Sequence, residues 1–179
     1  MSKPAQMYDH ELNPTKGWPS PYAVDKAAEF VAADATEVAY RGQVVSLNAQ
    51  AKFQLGLECG AMPIFLLNTS TDYDVVGDDG NLVGGTGGVP VLSGLVAISG
   101  LELESTEYDS TGTYAPNDKL TAGAPGEDDA GVFKIGVAYT DTLCGVVSDG
   151  VITNEFRTTV LRFWPVFLPP LECVDPSSN

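Results

Sequence analysis

Two glutamates placed two positions apart are the pair in this chain that could do acid–base chemistry. Glu102 and Glu104 lie in an alternating run, residues 101–104, which predicts a strand with both carboxyls on one face. Strand geometry separates them by roughly 7 Å, a spacing compatible with the paired carboxyls of glycoside hydrolases. The polar residues 105–107 indicate an exposed surface, where neighbouring glutamates are expected by chance in so acidic a chain. We therefore expect a solvated pair with no catalytic role.

A group of aspartates supplies the oxygen ligands that Ca²⁺ prefers. Its four members are Asp72, Asp74, Asp78 and Asp79. The EF-hand pattern is not met, because Val76 stands where a third Asp or Asn is needed and no glutamate closes the loop. We expect a solvated acidic loop and no metal site, while cation binding by residues 72–79 stays open.

The cysteines and the single histidine do not form a familiar reactive pattern. Cys59, Cys144 and Cys173 are an odd number without CxxC spacing, which predicts neither a disulfide framework nor a zinc site. Cys59 and Cys144 adjoin apolar residues and are expected as buried thiols in a reducing compartment, whereas Cys173 is expected to be exposed. His10 lies in a polar N-terminal stretch, which argues against Ser–His–Asp or Cys–His catalysis. We expect no enzyme activity and no cofactor.

The charge balance excludes two classes of partner. Nine Lys and Arg against 24 Asp and Glu give a formal net charge of −15. No basic stripe is available to bind phosphates, so we expect no nucleic-acid partner and no anionic membrane partner. The first twenty residues lack the apolar centre of a secretory signal, and no apolar run approaches the length of about 20 residues that a membrane helix needs.

The N-terminal segment is predicted to differ from the rest of the chain. Prolines at 4, 14, 19 and 21 favour an extended arm over residues 1–22, and the alanine-rich residues 22–35 could form one short helix. We therefore divide the chain into an arm, residues 1–36, and a β domain, residues 37–179. In the β domain, residues 72–90 and 105–130 are predicted to be long loops.

Short apolar or alternating segments predict the strands of that domain. They are residues 43–48, 52–58, 62–67, 101–104, 132–139, 142–147 and 160–168. We expect 142–147 to pair with 132–139, and Pro165 to mark an edge, a bulge or a break in the last strand. The predicted fold is mostly β, a single barrel or sandwich-like domain with an extended N-terminal arm and at most one short helix.

Three aromatic side chains are candidates for contacts with another molecule. Trp18 and Tyr22 lie on the proline-rich arm, which cannot easily reach the core of its own domain. Trp164 lies in the last predicted strand. We predict that these three residues, Trp18, Tyr22 and Trp164, contribute to an interface, and that the arm becomes ordered on a neighbouring subunit.

From residue 40 onward the chain resembles the head decoration, or capsid cement, proteins of tailed bacteriophages. The segments that carry the resemblance are YRGQVVSL at 40–47, CGAMPIF at 59–65, YAPNDKL at 114–120, GVFKIG at 131–136, DTLCGVVSDG at 141–150 and RFWP at 162–165. Similar proteins bind the outer face of an assembled shell, usually as oligomers over local symmetry axes, and stabilise it against internal DNA pressure. The resemblance brings no catalytic residues with it.

The resemblance and the residue patterns lead to one expected function and two alternatives. We expect a non-enzymatic protein of the virion, made in the host cytoplasm, that binds the capsid exterior and stabilises the shell. Its expected partners are the major capsid protein and copies of itself, as a homotrimer or alternatively a dimer. The alternatives are a fibre or adhesion module that binds host glycans, and an acidic glycoside hydrolase that uses Glu102 and Glu104.

Overall fold

The structure of the protein, a computed structural model, describes residues 12–16, 25–32, 37–70, 91–96 and 101–173. Within these residues the chain forms strands and no α-helix. The strands are β1 (Leu12–Lys16), β2 (Asp25–Glu29), β3 (Val44–Leu47), β4 (Phe53–Leu55), β5 (Ile64–Leu66), β6 (Val91–Val96), β7 (Glu102–Ser105), β8 (Lys119–Ala122), β9 (Phe133–Ile135), β10 (Leu143–Thr153) and β11 (Thr159–Leu168). The predicted mostly β fold is confirmed.

The strands form two antiparallel sheets. In the first sheet the order is β1-β7-β11-β10-β8-β9, and in the second it is β2-β6-β5-β3-β4. β10 and β11 are long neighbours in the chain and make the most extensive pairing, from Leu143↔Leu168 to Thr153↔Thr159. They form the centre of the first sheet, with β7 beside β11 and β8 beside β10.

Three phenylalanines join the two sheets. Phe65 lies on β5 of the second sheet, and its ring centroid is 5.9 Å from that of Phe133 on β9 and 5.7 Å from that of Phe163 on β11. The rings of Phe133 and Phe163 are 4.7 Å apart. All three side chains are fully buried, so the inner faces of the two sheets share one aromatic core.

The N-terminal segment contributes an edge strand to each sheet. β1 pairs with β7, and Leu12 is buried in the shared core. β2 pairs with β6 from Asp25↔Leu95 to Glu29↔Val91. The helix expected within residues 22–35 is therefore wrong over residues 25–29, because a neighbouring strand satisfies the backbone there and the weak helix preference of alanine is overridden. Part of the predicted arm is integrated into the chain's own sheets.

All seven predicted strands are confirmed, with shorter or longer bounds, but part of their arrangement is not. The predicted loop over residues 105–130 contains β8, whose ladders connect β9 to β10, so the expected direct pairing of 132–139 with 142–147 is wrong. Pro165 borders a register shift in the β10–β11 ladder, as its missing N–H requires. β6 was not predicted, and the other predicted long loop, residues 72–90, lies outside the described residues.

Candidate functional site

The two glutamates that could do acid–base chemistry are buried. Glu102 and Glu104 are 1% and 5% exposed, so the expectation of a solvated pair is wrong. They lie on the face of β7 opposite Leu103, and β7 lies between β1 and β11 in the first sheet. Thr15 on β1 donates a hydrogen bond from Oγ1 to Oε2 of Glu102 over 2.7 Å. The edge strand β1 thus supplies a hydrogen-bond donor to a glutamate of β7, the strand with which it pairs.

Glu104 is held by an arginine. Nε of Arg162 donates to Oε1 of Glu104 over 3.1 Å, and Nη1 donates to Oδ2 of Asp149 over 2.9 Å. The hydrogen bond to Glu104 raises the pKa of Arg162 against the opposing effect of burial, and Asp149 adds to the rise. A carboxyl that acts on a glycosidic bond must face its substrate. The burial and the ion pair of Glu104 indicate a structural role instead.

Of the three aromatic residues predicted to form an interface, the structure describes Trp164. Its side chain is 42% exposed on the outer face of β11, two positions beyond Arg162 and opposite Val146 of β10. Trp18 and Tyr22 lie outside the described residues. Trp164 is thus open to solvent on a sheet face, and its part in an interface stays a prediction.

A disulfide joins two parts of the chain that no sequence pattern predicts to be close. Cys59 and Cys173 are bonded across 114 positions, with their Cα atoms 5.7 Å apart. The expectations that the cysteines form no disulfide and that Cys59 is a buried thiol are thus wrong, because Cys59 lies exposed in a turn that meets the C-terminal segment. Cys144 is the buried free thiol that was predicted, and burial raises its pKa. Cysteine spacing carried no signal for this pair.

Three segments meet at the disulfide. Gly60 N–H donates to Oγ1 of Thr142 over 2.7 Å, and Leu171 N–H donates to the carbonyl of Tyr139 over 3.1 Å. These bonds bring together the turn after β4, the turn before β10, and the end of β11 with the residues that follow it. Large apolar side chains that the three segments leave open to solvent are Met62 (49% exposed), Val137 (60%), Tyr139 (71%), Leu168 (52%) and Leu171 (79%). We call these five residues the disulfide-end surface.

A groove lies beside this surface. It has a volume of about 310 Å³ and is lined by apolar and polar side chains, among them Leu57, Thr121, Glu127, Ile135, Thr140 and Asp141. We call it the β8–β9 groove. Lys134 also lines it, and its ammonium lies 3.2 Å from Glu127 and 2.9 Å from Asp129. Burial lowers the pKa of Lys134, but the hydrogen bonds to Asp129 and Glu127 outweigh that effect and leave it raised.

The described part of the chain offers neither a metal-binding group of residues nor a membrane-spanning helix. No group of three or more His, Cys, Asp or Glu residues there is arranged to hold a metal ion. The aspartates from Asp72 to Asp79 lie outside that part, so the question of a cation at residues 72–79 stays open. Among the described residues, no helix has the length and apolar character needed to cross a membrane.

Comparisons with protein-family models, with curated proteins and with solved structures find no match for the chain. The glutamate pair that the sequence singled out is buried and hydrogen-bonded within the first sheet, whereas Trp164 and the disulfide-end surface are exposed. The sequence signal that could have drawn attention to the latter is the apolar spacing of Ile135, Val137 and Tyr139, which continues beyond the end of β9.

Proposed function

We propose that the chain is a non-enzymatic structural protein that binds the outside of a phage capsid and stabilises the shell. The observation that carries this proposal is the disulfide-end surface. Its five large apolar side chains are between 49% and 79% exposed on segments joined by a disulfide and by hydrogen bonds that the N–H groups of Gly60 and Leu171 donate. Large apolar side chains exposed on segments fixed in this way are typical of surfaces that bind another protein.

The sequence resemblance supports the same proposal. The segments that resemble capsid cement proteins fall on β3, β5, β8, β9, β10 and β11 and on the turns beside them, so they belong to both sheets of the fold. The net charge of −15 adds a condition on the partner. A binding face on the shell must be neutral or basic, because like charges across an interface are unfavourable.

Binding to preformed expanded shells tests the proposal. We expect bound copies and a higher rupture temperature, since a ligand that binds only the intact lattice stabilises it by mass action. Tyr139→Ser and Leu171→Ser should each weaken binding, whereas Val151→Ser, a change at an exposed apolar residue of the β10–β11 ladder, is the matched control. Shells that carry no bound protein and rupture at an unchanged temperature would refute the proposal.

Trp164 gives a second arm of the same experiment. Trp164→Ala removes a large exposed side chain from the first sheet and should weaken shell binding by about 1–2 kcal/mol if it lies in the interface. The free energy of unfolding of the unbound protein should change by less than the free energy of shell binding does. If Trp164→Ala binds shells with unchanged affinity, Trp164 lies outside the interface. The serine variants then decide whether the disulfide-end surface binds the shell.

The glycan-binding alternative predicts a different ligand for the same exposed aromatics. Tyr139 and Trp164 are open to solvent, and aromatic rings of this kind can stack on sugar faces. A glycan array probed with the full chain distinguishes the two functions. Specific retention on host glycans, with no binding to shells, would favour an adhesion module over a capsid-stabilising protein.

A further inference from the structure

The turn between β10 and β11 presents an aromatic side chain on a fixed backbone. Phe156 is 65% exposed. Oδ1 of Asn154 accepts hydrogen bonds from the N–H groups of Phe156 and Thr158, each over 3.0 Å. Asn154 itself is nearly buried, and its Nδ2 lies 3.4 Å from Oε2 of Glu104. The turn is therefore anchored to the first sheet, and Phe156 is held outward before any partner arrives.

An arginine follows the exposed ring. Arg157 adopts φ of 65° and donates its N–H to the carbonyl of Asn154 over 3.0 Å. Its side chain is exposed and makes no ion pair with the residues that the structure describes. Aromatic residues and arginine are the side chains that most often dominate binding energy in interfaces, and a preformed turn lowers the entropy lost on binding. We call Phe156 and Arg157 the turn anchor.

The lining of the β8–β9 groove is complementary to the turn anchor in polarity and charge. Leu57 and Ile135 give it apolar lining, and Glu127 and Asp141 give it carboxylates. Lys134 is the cation among the lining residues, and it is already paired with Glu127 and with the adjacent Asp129. The carboxylates around the groove thus exceed its positive charge. An apolar ring followed by a guanidinium matches both features of this lining.

The turn anchor and the groove lie at opposite ends of β10. Asp141 and Thr142, which line the groove, directly precede the first residue of β10, and the turn directly follows its last residue, Thr153. The extended part of β10 from Leu143 to Gly150 alone spans roughly 20 Å. The turn anchor of one molecule therefore cannot fill the groove of the same molecule. A second copy of the chain can present it.

We propose that Phe156 and Arg157 of one copy bind the β8–β9 groove of the next copy. The contact joins two different surfaces, so it is heterologous, and repetition of it with rotational closure gives a ring. This inference rests on the proposed function in one respect, because it supplies the contact by which copies of a capsid-stabilising protein would associate. It assigns the copy-to-copy interface to the turn anchor and the groove and leaves the disulfide-end surface for the shell.

Sedimentation of two variants, alone and mixed, tests the inference. Phe156→Ala removes the anchor and leaves the groove intact, and Ile135→Arg places a repelling cation in the groove and leaves the anchor intact. We expect wild type to be a ring oligomer, each variant alone to be a monomer, and their equimolar mixture to form a 1:1 heterodimer, since it retains one intact contact. Val151→Ala is the control and should remain a ring.

Three results from these sedimentation experiments would overturn the inference. A monomeric wild type, an oligomer that persists in Phe156→Ala, or a mixture without heterodimer would each exclude the heterologous contact. Thr140→Arg, at an exposed groove position, replaces Ile135→Arg if that variant does not fold. The shell-rupture experiment is independent: a wild type that is monomeric yet stabilises shells overturns this inference only, and a ring that leaves shells unaffected overturns only the proposed function.

Discussion

Arg162 on β11 and Glu104 on β7 are direct cross-strand partners, and the guanidinium of Arg162 donates two hydrogen bonds to the same oxygen, Oε1, of Glu104. The glutamate is 5% exposed, whereas the second carboxylate bound by Arg162, that of Asp149, is largely open to solvent. The arginine thus connects a buried charge in the sheet to an exposed one. The two ion pairs should differ in their contribution to stability.

Arg162→Met should destabilise the protein by about 2–3 kcal/mol, because it leaves the carboxylate of Glu104 buried without its cation. Asp149→Asn is the matched control and should cost less than about 1 kcal/mol, since an exposed ion pair contributes little. Guanidinium denaturation measures both. The double variant Arg162→Met, Glu104→Leu should recover part of the loss, and equal costs for the two single variants would contradict this account.

Reduction of the disulfide should lower the free energy of unfolding by about 2–4 kcal/mol, because Cys59 and Cys173 close a long loop and restrict the unfolded chain. Cys173→Ser should have the same effect without reductant. Thiol counting with iodoacetamide checks the pairing. Without reductant, the native protein should expose no reactive thiol and the unfolded protein one, that of Cys144. Two additional reactive thiols in the unreduced protein would show that the disulfide is absent.

Tyr114 should make stability fall at alkaline pH. Burial, followed by the nearby charge of Asp109, raises its pKa from 10.0 to about 12. The neutral phenol is therefore favoured by folding: its contribution is fully present below pH 10 and is lost as the pH rises towards 12. Between pH 10 and pH 12, the free energy of unfolding of Tyr114→Phe should fall by on the order of 2 kcal/mol less than that of wild type.

The same variant should also be less stable than wild type at pH 7, by about 1 kcal/mol, because the hydroxyl of Tyr114 donates to the carbonyl of Asp109 over 2.9 Å. Denaturation curves at pH 7, 10 and 12 for the two proteins separate the effects. Parallel pH profiles would mean that Tyr114 does not contribute to the alkaline loss.

Two glycines with positive φ should respond differently to alanine. At Gly56, with φ of +103°, a Cβ would lie 2.6 Å from the backbone nitrogen of Pro125. At Gly126, with φ of +83°, a Cβ would meet nothing within 4 Å. Gly126→Ala should cost about 1–2 kcal/mol from backbone strain alone, and Gly56→Ala about 3 kcal/mol or more. Thermal unfolding compares them, and similar melting temperatures would show that the close approach at Gly56 is relieved.

The sequence predicted those strands whose signal is local. Residues 52–58 and 132–139 alternate apolar and polar side chains, and both segments contain a strand. β6 lacks that alternation, and its Gly94 carries no side-chain signal. A Cβ at Gly94 would lie 2.2 Å from Cγ2 of Ile64, so the reason for glycine is a contact with a distant strand. Local patterns cannot report such a contact.

The candidate sites also divide into features with a local sequence signal and features that depend on residues far apart in the chain. Exposure of Glu102 and Glu104 was expected from their polar neighbours, but their burial depends on Thr15 and Arg162, which are 87 and 58 positions away in the chain. The pairing of Cys59 with Cys173 and the grouping of apolar residues around it likewise require the tertiary fold. Trp164 was named from sequence as an exposed aromatic residue of the last strand; its 42% exposure agrees, and its part in an interface stays a prediction.

β1 and β2 are synthesised long before the strands with which they pair. Thr15 and Glu102 are separated by 87 positions, which a ribosome translates in roughly 4–17 s at 5–20 residues per second. During that interval the backbone groups of both strands have no native partner and are open to strands of other nascent chains. Cys59 waits even longer for Cys173. Each sheet therefore acquires its N-terminal edge late. The strands of the β10–β11 hairpin, in contrast, can pair as soon as they are made. Chaperone binding during translation would therefore protect the segment around β1 and β2 more than this hairpin.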